Sequence, residues 1–327
     1  MKFGALQNLK DRFFSRGGGA IESFTLSAYG KLPIYKDYIL WECLNDGAED
    51  FKQWLDAAFG KTWEDFDGKS ARLRGPCRAL ILLPDGKYAV AASMWPSADE
   101  GNMRKFPFAL FTTFSRGDVV GRGLRGALDA LAPVWLSLER EYEKIRQLGS
   151  IDELYAYLQR TDPSVQPPEP APEQNLSLEQ WHEALCPGRG RAFRRWIDHE
   201  LNQVISAYRG FPEQGESLAV RLPLAGRLDI PTQAAIWESV FKQNLKKIPV
   251  FPSVVIEKGE DDEPGAITLV WREWLVDDAR LFADKIRDYE FVEMLIPDKL
   301  AGDGADGELE DDLEIEAWIA SFGKVKA

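Results

Sequence analysis

Several apolar segments in the first half of the chain have the spacing of β-strands. Residues 24–29 form the first and residues 106–114 form the last of them. Between them, residues 79–83 and 88–94 flank Pro84-Asp85-Gly86-Lys87, whose turn-forming residues predict a β-hairpin. We therefore expect antiparallel strands in this part of the chain.

Helical spacing of apolar residues predicts helices around these strands. Residues 51–59 place aromatic and aliphatic side chains on one face, and Gly60 is suited to end that helix in the left-handed conformation. A second pattern runs over residues 124–145, where Pro133 is expected to kink or divide the helix. A shorter helix is predicted around residues 154–158.

The second half of the chain repeats this mixture of helices and strands. The predicted elements are, in order, a helix over residues 193–205, a strand over 218–222, a helix from about 231, strands over 253–257 and 267–271, a helix capped by Asp277 and a helix over 315–322. Hairpins outnumber strand-helix-strand crossovers. The pattern therefore predicts an α+β fold of mainly antiparallel sheets flanked by helices, with a helical middle segment.

A proline-rich stretch divides the sequence. Five prolines lie between positions 163 and 172, a composition that favours extended conformations and a stiff connector. We therefore predict a linker at residues 161–176. It joins an α+β domain at residues 24–160 to a second α+β half at residues 177–327, which includes an acidic loop and a C-terminal helix. Residues 1–23 are predicted to form a detachable leader.

Composition and charge limit the classes of function. The 327 residues are 45% hydrophobic and include 11 Trp and 18 Phe, which is enough apolar material for a folded core. The 40 Lys and Arg against 53 Asp and Glu give a net charge of -13. Because this charge repels a phosphate backbone, nucleic acid is not an expected partner.

The expected location is the cytoplasm. Cys43, Cys77 and Cys186 are few and far apart, which does not fit a secreted disulfide framework. The N-terminal residues lack the apolar core of a signal peptide. No uninterrupted apolar stretch approaches the roughly 20 residues needed to cross a bilayer, so no transmembrane segment is expected.

One glycine-rich segment matches a cofactor motif. Gly121-Arg122-Gly123-Leu124-Arg125-Gly126 spells the G-x-G-x-x-G pattern of dinucleotide sites, after a predicted strand and at the start of a predicted helix. That fingerprint also requires a following parallel strand, whereas here a helix follows a helix. We interpret the segment as a glycine-rich helix entry near a sheet, and no cofactor is expected.

Reactive groups do not converge in the sequence. His182 and His199 are the two available histidines, and neither stands in a known catalytic motif. His182 and Cys186 lie four positions apart on a predicted helix and could supply half of a zinc site, but no second ligand pair of suitable spacing appears. The sequence therefore predicts neither a catalytic nor a metal site.

Two short segments resemble a known family. Gly30-Lys31-Leu32-Pro33 combines a glycine that is free to take positive φ with a proline that fixes the exit of the turn, and Asp37 and Tyr38 follow. Together with Arg104-Lys105-Phe106-Pro107, this resembles the TagF (ImpM) family of bacterial type VI secretion accessory proteins. That family shows Gly-Lys-Leu-Pro followed by Gly-Asp-Phe, and later Arg-x-Phe-Pro. In this chain Lys36 replaces the glycine of the second element, and Tyr38 replaces its phenylalanine.

The resemblance implies a post-translational repressor of type VI secretion that contacts other components, among them the forkhead-associated Fha scaffold, and has no catalytic activity. On this interpretation the candidate partner-binding residues are three charged and three shaping residues: Lys31, Asp37, Arg104, Pro33, Phe106 and Pro107. The alternative is that the glycine and the prolines only define turns while Phe106 fills the core.

Two other functions stay open at this point. One is a nucleotide-dependent enzyme that uses residues 121–126. The other is a membrane-surface adaptor that uses residues 3–14, where apolar residues recur at helical spacing between basic ones. A small-molecule ligand is not expected on the leading interpretation.

Overall fold

Antiparallel strands with helices packed beside them form the chain, so the α+β class predicted from the sequence is confirmed. The structure is a computed structural model that describes residues 21–60, 73–163, 165, 177–208, 218–225, 229–245, 251–259, 265–271, 274, 282, 292–294 and 315–322. Two compact units share the chain. Unit 1 contains Met1–Glu169 and Glu273–Asp288, and unit 2 contains Pro170–Arg272 and Tyr289–Ala327.

The described strands of unit 1 form an antiparallel sheet. They are β1 (Ser27–Gly30), β2 (Ile39–Trp41), β3 (Cys77–Leu82), β4 (Tyr88–Trp95) and β5 (Phe108–Ser115), and they pair in the order β2-β1-β5-β4-β3. The predicted hairpin joins β3 and β4. In its turn, Asp85 Oδ1 accepts the Lys87 N–H at 2.9 Å, and Gly86 takes a φ of +74°.

The helices described in unit 1 are α1 (Asp46–Phe59), α2 (Arg116–Val120), α3 (Gly123–Ile145) and α4 (Ile151–Arg160). Asn45 caps α1 by accepting the Ala48 N–H at 2.8 Å. Helix α3 runs unbroken for 23 residues with Pro133 inside it, so this proline does not divide the helix. Gly60 has a φ of -83°, so the prediction of a left-handed end to α1 is wrong.

The elements described in unit 2 are α5 (Leu178–Leu185), α6 (Gly190–Tyr208), β6 (Ala219–Leu224), α7 (Ile230–Asn244), β7 (Ser253–Glu257), β8 (Gly265–Val270), β9 (Val292–Met294) and α8 (Ile315–Ile319). Strands β7, β8 and β6 are antiparallel neighbours, and β9 runs parallel to β6. The pairing of β7 with β8, in which Val254 faces Leu269, confirms the second predicted hairpin.

Aromatic side chains fill the core of each unit. In unit 1, the ring centroid of Trp54 lies 5.7 Å from that of Trp274 and 6.0 Å from that of Phe282. Trp274 and Phe282 belong to the second chain segment of this unit. In unit 2, the ring centroids of Trp181 and Trp318 lie 5.4 Å apart. All five side chains are buried, so each unit has its own aromatic core.

Several predicted features lie outside the described residues. They are the apolar and basic segment at 3–14, most of the proline-rich linker, the helix start at Asp277 and the acidic residues at 303–312. Within the described part of the chain, none of the helices combines the length and the apolar character needed to cross a bilayer.

Candidate functional site

The two segments that carry the family resemblance lie against each other in unit 1. Gly30 ends β1 and pairs with Phe108 at the start of β5. Its φ is +131°, and a Cβ atom there would lie 2.0 Å from the carbonyl oxygen of Pro107. Glycine alone fits this position without displacement of the backbone. The close approach places residues 30–38 beside residues 99–107, and we call these two loops the corner.

Lys31 is buried in the corner, which corrects the expectation that it is presented on a contact surface. Its Nζ atom lies 4.1 Å from the centroid of the Tyr38 ring and 3.5 Å from the carbonyl oxygen of Lys36. Burial lowers the pKa of Lys31, and the nearby charge of Arg104 lowers it further. The ammonium group therefore stabilises the corner from inside, through a cation–π contact and a main-chain oxygen.

An ion pair between Asp99 and Arg104 organises the second loop of the corner. Arg104 Nε donates to Asp99 Oδ2 at 2.8 Å, and Asp99 Oδ1 accepts the main-chain N–H groups of Met103 at 2.9 Å and Arg104 at 3.2 Å. The hydrogen bond from the Arg104 side chain lowers the pKa of Asp99 to about 2. Arg104 Nη2 also donates to the Lys36 carbonyl oxygen, so one guanidinium joins the two loops.

Sequence reasoning missed Asp99, although the sequence does carry a signal for it. Asp99-Glu100-Gly101-Asn102 contains three turn-forming residues and begins with an aspartate. Such an aspartate commonly accepts the main-chain N–H groups that follow it. A turn that begins at Asp99 therefore brings the Asp99 carboxylate close to Arg104, two positions after this run.

Asp37 and Arg104 are the exposed charges of the predicted set. Asp37 lies at the surface, where its Oδ1 accepts the Tyr38 N–H at 3.1 Å, and the Arg104 side chain is 58% exposed. Tyr38 stacks on Tyr29 with ring centroids 5.6 Å apart and meets Phe106 edge to face at 4.9 Å. Phe106 is buried, so it fills the interior of the corner.

A groove of about 910 Å³ opens beside the corner. It is lined by Pro33, Phe106 and Pro107 of the predicted set, and by Trp95 and Tyr142, whose rings stack with centroids 3.8 Å apart. Pro33, Phe106 and Pro107 are therefore shared between the corner and the groove. Lys31, Asp37 and Arg104 belong to the corner alone.

The glycine-rich segment at 121–126 connects two helices. Gly121 follows α2, and Gly123, with a φ of +68°, begins α3. The preceding strand β5 is antiparallel to both β1 and β4, and α3 is followed by α4. This arrangement differs from the parallel strand-helix-strand unit on which the dinucleotide fingerprint depends.

His182 is a buried aromatic neighbour in unit 2. Its ring centroid lies 5.3 Å from those of Trp181 and Trp318, and burial lowers its pKa to about 3. Among the described residues, no group of three or more His, Cys, Asp and Glu is placed to hold a metal ion. In these surroundings His182 packs as a neutral ring.

No protein-family model matches the chain. A comparison with curated proteins also gives no match. Among solved structures, the chain is similar to the crystal structure of PA0076 from Pseudomonas aeruginosa PAO1, with 20% sequence identity and a TM-score of 0.31. The match covers 45% of this chain and 64% of that chain, so it spans less than two thirds of the other protein.

Proposed function

We propose that this protein is a repressor of a bacterial type VI secretion system, which acts in the cytoplasm by binding another protein component and has no catalytic activity. The resemblance of its two motif segments to the TagF family supports this role. The forkhead-associated Fha scaffold is the partner that the resemblance implies. Both the partner and the absence of catalysis are part of the proposal.

One observation carries the proposal. The residues that match the family motifs, Lys31 and Arg104, are 73 positions apart (104 minus 31), yet they belong to a single corner. Their segments meet because Gly30 allows the Pro107 carbonyl group to approach. Motif residues that serve only their own local turns do not need to converge in this way, whereas residues that build one shared corner do. Lys31 supports this corner from inside, and Arg104 is exposed on it.

The corner suits protein binding because it is ordered before a partner arrives. The Asp99–Arg104 ion pair and the stack of Tyr29 on Tyr38 hold both loops in place. A surface that is ordered in advance loses less conformational entropy on association. Asp37 and Arg104 then offer two opposite charges, and such charges fix the orientation of a partner.

Co-purification from a host with an active type VI system tests the proposal. The tagged wild-type protein is expected to recover a component of the system, and deletion of its gene is expected to raise secretion. Asp37→Lys and Arg104→Ala are expected to reduce both recovery and repression. Arg125→Ala is the matched control, because Arg125 is 64% exposed on α3 and lies outside the corner.

Two outcomes would count against the proposal. The first is repeated failure of the wild-type protein to recover any component of the system. The second is full repression by Asp37→Lys together with Arg104→Ala. Because Arg104→Ala leaves Asp99 without its ion pair, its thermal stability is measured beside its binding. Asp37→Lys changes an exposed side chain and keeps the test informative if the other variant unfolds.

A panel of dinucleotides tests the alternative of a nucleotide-dependent enzyme. A ligand that binds only the folded state raises the melting temperature, so an enzyme that uses residues 121–126 would be stabilised by its cofactor. We expect no shift with any member of the panel. A concentration-dependent shift that is lost in Gly123→Arg would replace the binding role with the nucleotide-dependent alternative.

A further inference from the structure

The groove beside the corner carries an excess of positive charge in a chain that is acidic as a whole. Among the described residues that line it, three are cationic and one is acidic: Arg74, Lys105, Arg146 and Glu143. The whole chain has a net charge of -13. This local reversal of sign attracts a negatively charged partner and repels a basic one.

Arg146 lies on the rim of this groove, where solvent and a partner can reach it. Its side chain is 58% exposed, and its Nη1 lies 3.4 Å from Glu143 Oε1. Exposed pairs of this kind contribute little to folding, so the guanidinium can exchange this carboxylate for that of a partner. A substitution at this position therefore changes the charge of the groove more than the stability of the fold.

Between these charges the groove has apolar walls interrupted by polar groups such as Ser97 and Asn102, and it is already shaped. Its walls contain four prolines, which have a fixed φ and no main-chain N–H: Pro33, Pro76, Pro96 and Pro107. Leu32 and Phe106, which are buried, and the stacked rings of Trp95 and Tyr142 complete the apolar surface. Such a surface favours apolar side chains over a wholly polar ligand.

The size and the lining of the groove indicate an extended occupant. Its volume of about 910 Å³ lies near the upper end of the roughly 300–1,000 Å³ typical of ligand sites. Four separate stretches line it: residues 32–34, residues 73–76, residues 95–107 and the last turn of α3. An occupant that contacts all four has to present several side chains in succession.

We infer that the groove binds an extended segment of a partner protein in which apolar side chains alternate with carboxylates. The inference rests on the proposed function only in taking the partner to be a protein. The apolar side chains lie against the prolines and aromatic rings, and the carboxylates meet Lys105 and Arg146.

Two sets of short synthetic peptides test this inference with the full-length protein. In one set, leucine, valine or proline alternates with glutamate, and in the matched set lysine replaces every glutamate. We expect binding to the glutamate set alone, and a dissociation constant that rises with ionic strength. In the double variant Lys105→Glu and Arg146→Glu, we expect affinity for the glutamate set to fall about tenfold or more.

Arg125→Glu provides the matched control. Arg125 lies on α3, the helix that Arg146 directly follows, and is 4.0 Å from Asp129 in a similar exposed pair, but it does not line the groove. This variant is expected to bind the glutamate peptides as the wild-type protein does. Ser97→Trp, which places a large side chain on the wall of the groove, is expected to abolish binding while the melting temperature is retained.

Several results would overturn the inference. They are binding to neither peptide set, equal binding to both, and binding that the double variant leaves unchanged. Binding to vesicles rich in phosphatidylserine that the double variant abolishes, without peptide binding, would assign the groove to a membrane surface instead. If peptide binding fails while Asp37→Lys still relieves repression in cells, the groove inference falls and the proposed function stands. If the glutamate peptides bind while Asp37→Lys and Arg104→Ala both keep full repression, the groove inference stands and the proposed function falls.

Discussion

Replacement of Gly30 by alanine tests whether a single close approach builds the corner. The added Cβ would lie 2.0 Å from the Pro107 carbonyl oxygen, whereas real Cβ atoms essentially never show contacts under 3.0 Å. The backbone must therefore move by at least 1.0 Å (3.0 minus 2.0). Because Gly30 pairs with Phe108, this movement opens the end of the β1–β5 ladder.

Alanine variants of two other glycines separate the two causes of the expected loss of stability, which are the positive φ and the collision of the added Cβ. Gly75 has no atom within 4 Å of an added Cβ and no positive φ, so Gly75→Ala is expected to stabilise the fold by roughly 0.4–1 kcal/mol through the unfolded state. Gly123 is equally open but has a φ of +68°, so its replacement is expected to cost about 1–2 kcal/mol. Gly30→Ala adds the collision to a positive φ, and we expect a loss above about 3 kcal/mol.

Urea denaturation of the three variants measures these free energies of unfolding. Because the two units can unfold separately, amide hydrogen exchange of peptides that cover β1 and residues 99–108 locates the loss. The expected order of destabilisation is Gly30→Ala, then Gly123→Ala, then Gly75→Ala. If Gly30→Ala unfolds at the same urea concentration as Gly123→Ala, the approach of Pro107 does not hold the corner together and our reasoning fails.

Three further predictions concern the cores. His182→Phe should remove a pH dependence of stability. Below about pH 6.5 the unfolded state binds a proton on His182, whereas burial prevents the folded state from binding it until about pH 3. The free energy of unfolding of the wild-type protein should therefore fall by about 2 kcal/mol relative to the variant between pH 7.5 and pH 5. Parallel stability curves for the two proteins would contradict this. Arg221→Met should lower the free energy of unfolding, measured by urea denaturation, by about 3–5 kcal/mol, because it removes one partner of the buried ion pair with Glu257 at 2.7 Å. Replacement of both residues by apolar ones should recover much of this loss. Leu128→Ala removes a buried side chain of α3 and should lower the free energy of unfolding by about 2–5 kcal/mol. Leu136 is 46% exposed on the same helix, so Leu136→Ala should lower it by under about 0.5 kcal/mol. Similar losses for both variants would mean that α3 packs differently.

Elements with strong local signals were predictable from the sequence. The hairpin of β3 and β4 follows from Asp85 and Gly86, which favour their turn whatever surrounds it. The end of α1 shows the limit of such signals, because Gly60 permits a left-handed conformation without requiring it. The apolar spacing of α3 was strong enough to predict one buried face, and the helix accommodates Pro133.

The candidate site was predictable only in part. A lysine is almost always exposed, so nothing in the sequence indicated that Lys31 is buried over Tyr38. The partnership of Asp99 with Arg104 depends on a turn whose shape local propensity does not determine. The groove was beyond sequence reasoning, because its walls come from four stretches that only the fold brings together.

The aromatic core of unit 1 makes the folding of this unit depend on the order of synthesis. Trp54 cannot pack against Phe282 until the ribosome has synthesised another 228 residues (282 minus 54), which include most of unit 2. Until then the nascent unit exposes apolar surface on which chaperones act and through which chains aggregate. An expressed fragment that ends at the proline-rich stretch lacks Phe282 and would leave this apolar surface exposed permanently. A fragment intended to fold as unit 1 must therefore include the residues up to Phe282.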